Sequence, residues 1–137
     1  MELIRVEDAP SVGVAEIDDQ HAALLELVNR LHRALTEGDS RDRLATIITE
    51  LIKHTHAHFV YEEQLMSRHH YPEYDKHKAD HDRLMQHLTD LEKRFLSGDL
   101  LLSFAVMIDL KGWATVHIEK SDRPLGLFLQ DERSPRA

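Results

Sequence analysis

Four segments of the chain carry side chains that bind transition metals, and two of them do so at helical spacing. His58 and Glu62 are four residues apart, as are His77 and His81, so each pair would project from one helix face. His21 stands earlier in the chain, and His117 and Asp122 stand later. Imidazole nitrogens mixed with carboxylate oxygens suit iron, and equally zinc, copper or manganese. Either pair alone is more often a solvated helix face than a metal site. All seven residues together are another matter, because chance would have to set four segments and their internal spacings at once.

The donor count favours two ions over one. Five imidazoles and two bridging carboxylates fill about nine of the twelve positions around two six-coordinate ions, and a bridging oxide or hydroxide fills about two more. One position stays open, which suits a small diatomic ligand. With two ferric ions and an oxide as the bridge the set would carry about +2 overall, far less costly to bury than an unscreened ion pair. Cysteine is absent, so thiolate sites, disulfides and thiol catalysis are excluded, in keeping with a reducing compartment.

Residues so far apart in sequence need a scaffold that gathers them. Only five Gly and four Pro occur in 137 residues, and apolar residues recur at helical spacing, which predicts an all-α chain. A first helix is expected from near Asp18 to Gly38, with Leu24, Leu27, Val28, Leu31 and Leu35 as its stripe. A second follows Ser40 and ends around His69 to Tyr71, ahead of Pro72. A third spans about Glu73 to Ser97, with Gly98 as its stop, and a fourth runs from near Asp99 to about Ser121, where Pro124 would disrupt it. Short connections make sequential helices antiparallel neighbours, hence an up-down-up-down antiparallel four-helix bundle with an extended N-terminal arm. The expected division is a single domain over 1–137, with the arm at about 1–17, the bundle at 18–122 and a polar tail at 123–137. His21 lies early in its helix and His58 late, and the third and fourth helices repeat that alternation, so all seven side chains can meet at one level.

Asp122 is the awkward member. Five residues of ideal helix rotate it about 140° away from His117. Pro124 lacks an N–H and its ring clashes with the carbonyl of Lys120, so the helix is expected to loosen or widen there and carry Asp122 inward. The other histidines read as bystanders. His32 follows His21 on nearly the same stripe but about 16 Å along the axis, and is expected at the surface or rim. His54 is expected a turn above the site, His56 and His87 facing away, and His69 and His70 at a helix C-terminus. Asp18 reads as a helix cap, as an acceptor for the free ring nitrogen of His21, or as both.

A net charge of -8 argues against nucleic acid and anionic membranes as partners. No apolar window approaches the length of a membrane span, and the charged residues Glu2, Arg5, Glu7 and Asp8 preclude a signal core, so a cytoplasmic monomer is expected.

The segments SVGVAEIDDQH, HFVYEE, HKADH and HIEKSD together resemble, in order and in spacing, the four ligand-bearing segments of the bacterial hemerythrins, over roughly Ile4 to Leu125. The resemblance implies an oxo- or hydroxo-bridged di-iron centre: His77, His81 and His117 on one iron, His21 and His58 on the second, Glu62 and Asp122 bridging both, and the open position on the second iron. It also implies reversible binding of dioxygen for transport, storage or delivery, with no catalytic residue. A di-iron enzyme acting on peroxide or nitric oxide, an oxygen or redox sensor, and an iron buffer are the alternatives. Three places depart from the family pattern: Val6, where Trp is frequent; Ala114, where Leu is common; and Arg123 with Pro124, in place of a basic helical run.

Overall fold

The structure, a computed structural model, describes residues 11–99 and 102–133. In them the helical periodicity becomes α1 (Ala15–Thr36), α2 (Arg41–Arg68), α3 (Tyr74–Leu96), α4 (Phe104–His117), a π-helical turn (Ile118–Asp122) and α5 (Arg123–Arg133). Helix α1 packs on α2 and on α4, and α2 packs on α3, which makes an all-α, up-down-up-down four-helix bundle.

The helix ends follow from their residues. The Ser40 and Ser103 side chains accept from the third amides of α2 and α4, at Arg43 and Val106. Helix α1 stops at Gly38, whose φ of 72° is left-handed, and the Asp39 amide bonds back to the Ala34 carbonyl. Helix α2 stops the same way without a glycine: His70 takes φ 53°, and the Tyr71 amide reaches the Met66 carbonyl.

Several boundaries differ from expectation. Helix α1 begins at Ala15, before Asp18, and its N-cap is Val14, which has no capping side chain. Asp18 sits in the first turn and accepts from the Ser11 hydroxyl and the Val12 amide, both at 2.8 Å, so it ties down the arm instead. It neither caps the helix nor meets His21. Helix α4 starts at Phe104, later than Asp99, because Ser103 supplies the cap. The expected polar tail at 123–137 is helical as far as Arg133. Pro124 does not end the chain's helical run, since the π turn already breaks the ladder there and Pro is well tolerated in the first turn of α5. Residues 1–10 of the arm, Val6 among them, and the end of the tail, 134–137, lie outside the described residues.

Buried apolar residues form two clusters. One joins Val28, Leu31, Ile47, Ile48, Leu91, Phe95 and Met107. The other joins Val12, Val14, Ile17, Leu65, Met66, Ile118, Leu125 and Leu129, so the arm and α5 close one end of the bundle. On α2, His58 and Glu62 fall between the two clusters.

The arm lies so close to α5 that a methyl group at Gly126 would overlap the Val12 carbonyl oxygen, whereas one at Gly112 would meet nothing within 4 Å. Gly126→Ala is therefore expected to cost about 1–3 kcal/mol by forcing backbone apart. Gly112→Ala, in the middle of α4, is expected to gain roughly 0.5–1 kcal/mol. Urea unfolding of the two variants checks the contrast, and equal stabilities would mean that the arm is not seated on α5.

Candidate metal centre

Antiparallel packing brings all seven side chains into one cluster, each at most 6% exposed, with Glu62 and Asp122 at 0%. Burial of two carboxylates among five imidazoles needs a reason, because isolated ions in an apolar interior are strongly disfavoured. The reason lies in how the oxygens divide. Glu62 turns Oε1 toward His81 Nε2 at 2.9 Å and His77 Nε2 at 3.2 Å, and Oε2 toward His58 Nε2 at 3.3 Å and His21 Nε2 at 4.0 Å. Asp122 turns Oδ1 toward His77 and His117, both at 3.0 Å, and Oδ2 toward His21 at 2.7 Å and His58 at 4.0 Å. Each carboxylate thus offers one oxygen to a three-histidine group and the other to a two-histidine group. Two overlapping sets result: Glu62, His77, His81, His117 and Asp122; and His21, His58, Glu62 and Asp122.

Asp122 reaches this position because residues 118–122 form a π turn, with the Arg123 amide bonded to the Ile118 carbonyl five residues back. The widened turn supplies the rotation that an α-helix would not.

Several of these contacts are short without being hydrogen bonds. His58 Nε2, His117 Nε2, Glu62 Oε2 and Asp122 Oδ1 are buried with no hydrogen-bond partner. Nitrogen and oxygen donors gathered within 4.8 Å of one another, several of them unsatisfied, are what a cation needs. The donor set therefore fits a pair of metal ions.

Electrostatics in the cluster are dominated by mutual pairing. Burial disfavours charge on His58 and His77, but contacts with Asp122 and Glu62 outweigh it and push both up to about 9. Burial and the Asp122 charge oppose ionisation of Glu62, yet His58, His77 and His81 hold it down at about 2. Asp122 is likewise held well below the usual carboxylate range: burial opposes its charge, but His117, His21, His58 and His77 prevail.

Three residues that sequence reasoning passed over orient the rings. The Nδ1 of His58 bonds to Gln20 Oε1 at 2.5 Å, that of His81 to Glu63 Oε2 at 2.9 Å, and that of His117 to Asp80 Oδ2 at 2.5 Å. With Nδ1 donating outward, Nε2 is left to face the cluster as a candidate ligand atom. Each acceptor sits one residue from a cluster residue of its own helix and supports a histidine of the next: α1 to α2, α2 to α3, α3 to α4. The ring of Phe59 stacks on His81, with centroids 3.9 Å apart and planes 7° from parallel.

The remaining histidines stay out of the cluster. His54, His56, His70 and His87 are exposed and His69 is half-buried. His32 departs from expectation, being buried at 7% exposure rather than placed at the rim. It shares the inward stripe of His21, Leu25 and Val28, and so points into the bundle at a level remote from the cluster.

A largely apolar cavity of about 80 Å³ reaches the cluster at His21, His58, His117 and Asp122, with Leu24, Val28, Leu110 and Ala114 among its other walls.

Comparison with known proteins agrees with this geometry. The family model described as the hemerythrin HHE cation binding domain matches residues 12–126. The chain is 32% identical over 123 residues to a bacteriohemerythrin of Methylococcus capsulatus, covering 90% of this chain and 92% of the relative. It is 31% identical over 123 residues to one of Stenotrophomonas maltophilia, covering 90% and 79%. Among solved structures it is similar to a hemerythrin variant with one leucine changed to alanine, at TM-score 0.84 and 30% identity, covering 92% of this chain and 96% of that one. A wild-type hemerythrin superposes at TM-score 0.79 and 31% identity, with 84% and 88% covered.

Proposed function

The chain belongs to the hemerythrin HHE cation-binding family, and on that premise we propose that it holds two iron ions and binds dioxygen reversibly beside them. The observation that carries this reading is the division of the carboxylate oxygens, one from each carboxylate to each histidine group, which is the arrangement of a doubly bridged pair. His77, His81 and His117 would hold one iron, His21 and His58 the other, and Glu62 and Asp122 both. When bound, an iron pair supplies the electron exchange with dioxygen that makes uptake reversible. The chain's own residues keep competing chemistry out. The cavity wall is aliphatic and aromatic apart from the cluster itself and Thr55, whose hydroxyl donates to the Leu51 carbonyl at 2.7 Å. No further acid or base lines it to deliver a proton, which favours a carrier over an enzyme.

The same reading makes the protein a cytoplasmic monomer whose small-molecule partner is dioxygen, with neither nucleic acid nor membrane engaged. The charge of -8 disfavours nucleic acid and anionic membranes as partners, and no described helix is long and apolar enough to cross a membrane. Visible spectroscopy of the iron-loaded protein while reduced, exposed to air and then degassed tests the proposal. Bands that appear with air and vanish on degassing are expected. Steady consumption of peroxide or nitric oxide with a reductant, and no reversible band, would make it an enzyme.

Ala114 gives the cavity a smaller wall than the Leu common in the family would. Ala114→Leu adds three carbons where water can now enter. It is expected to slow spontaneous oxidation of the iron-loaded protein in air and to weaken azide binding, at unchanged iron content. Equal rates and equal azide affinity would reduce this position to packing.

A further inference from the structure

The two halves of the cluster are not supported alike. On the three-histidine side, two rings donate Nδ1–H to carboxylates, His81 to Glu63 and His117 to Asp80, and Ser121 adds a hydroxyl bond to the same Asp80 oxygen at 3.1 Å. On the two-histidine side, His58 has the neutral amide of Gln20, and His21 Nδ1 is buried with no hydrogen-bond partner. The relay of acceptors from each helix to the next ends at α4, whose described residues offer none to α1. An imidazole that donates to an anion is a stronger base and a better-oriented ligand than one that donates to an amide or to nothing.

Two cations oppose this difference without cancelling it. Lys78 lies 3.5 Å from the other oxygen of Glu63, and Arg83 contacts the other oxygen of Asp80. Their side chains are 41% and 67% exposed, so water screens them, while the oxygens that face the rings are turned inward. Donor number points the same way, with three imidazoles on one side and two on the other beside the shared carboxylates.

We propose that the centre loads in order, the His77, His81 and His117 half first and the His21 and His58 half second, and that Glu63, Asp80 and Gln20 are the positioning residues that set the gap. The inference rests on the two-ion reading above. Because the gap depends on one amide against two carboxylates, Gln20 is a point at which the sequence tunes the second ion's hold.

Titration of the metal-free, full-length chain with cobalt(II) under anaerobic conditions, followed by visible absorption and by proton NMR of the ring N–H signals shifted by the metal, tests the order. Two resolved steps are expected, with three shifted N–H signals after one equivalent and five after two. Asp80→Asn is expected to weaken the first step by roughly 10–100-fold, and Gln20→Glu to strengthen the second by about 10-fold. Gain of affinity on Gln20→Glu is a result that mere structural damage would not produce. A single step for two ions, a first step that shifts only two N–H signals, or a Gln20→Glu second step no tighter than wild type would overturn the order and leave the paired centre standing. Saturation below two ions per chain would overturn the paired centre itself, and the order with it.

Discussion

Glu62→Ala is expected to reduce metal content from two ions per chain to one or none and to abolish the visible spectrum of the pair. Its two oxygens are divided between the histidine groups, so one substitution removes a donor from both sides at once. Asp122 alone would then have to hold the ions together, and their repulsion would no longer be bridged twice. His117→Ala, which deprives only the three-histidine side, is expected to lose the paired spectrum while leaving His21, His58 and both carboxylates in place. The controls are as informative. His54→Ala and His87→Ala alter exposed side chains and should keep both ions and the spectrum. His32→Ala should also keep them, but this residue is buried, so the variant is expected to melt lower as it leaves space in the core. Metal analysis and absorption spectra of the five purified variants decide the matter. A Glu62→Ala protein that still carries two ions with an unchanged spectrum would remove that residue from the centre.

How far the cluster can be read from sequence depends on whether a residue's partner lies on its own helix. The pairs His58 with Glu62 and His77 with His81 are legible because a four-residue step stays on one face. Asp122 was legible through Pro124, since a residue that cannot complete the α-helical ladder invites a wider turn, and the π turn at 118–122 provides it. The same proline was misleading about the tail. Its missing N–H reads as a stop, yet at the start of a new helical run it costs little, so α5 follows and closes the bundle's end with Leu125 and Leu129. Gln20, Glu63 and Asp80 could not be read in this way. Each sits one residue from a cluster residue, where the helix turns it about 100° aside, and the ring it serves is on the neighbouring helix. A sequence signal does exist, an acceptor side chain beside a candidate ligand in DQH, EE and ADH, but it names no partner until the helices are packed. Asp18 shows the converse: a capping residue type placed within the first turn ties down the arm, because the chain had already entered the helix at Ala15.

Removing the metal is expected to lower the melting temperature and to reverse how stability responds to pH between about 6.5 and 9. An ion at a free concentration a thousand times its Kd adds about 4 kcal/mol to the folded state, which for a chain of this length is on the order of 10 °C per ion. In the metal-free protein the carboxylates fall back on the imidazoles. His58 and His77 are raised from 6.5 to about 9 by Asp122 and Glu62 despite burial, so the stability they contribute is fully present below pH 6.5 and is lost as pH rises through 9. Glu62 is lowered from 4.5 to about 2 against burial, so its contribution is present above pH 4.5 and is lost as pH falls through 2. The metal-free chain is therefore expected to be most stable between about pH 4.5 and 6.5 and to weaken toward pH 9. With metal bound the sign is opposite, because His58 and His77 can donate Nε2 to an ion only after giving up a proton, so affinity and the stability it confers rise toward pH 9. Thermal melts of both forms at pH 5.5, 7 and 9 measure this directly. The two curves should diverge with rising pH, and a metal-free protein whose melting temperature is flat or climbs from pH 6.5 to 9 would show that the imidazoles do not take over the ions' role in holding Glu62 and Asp122.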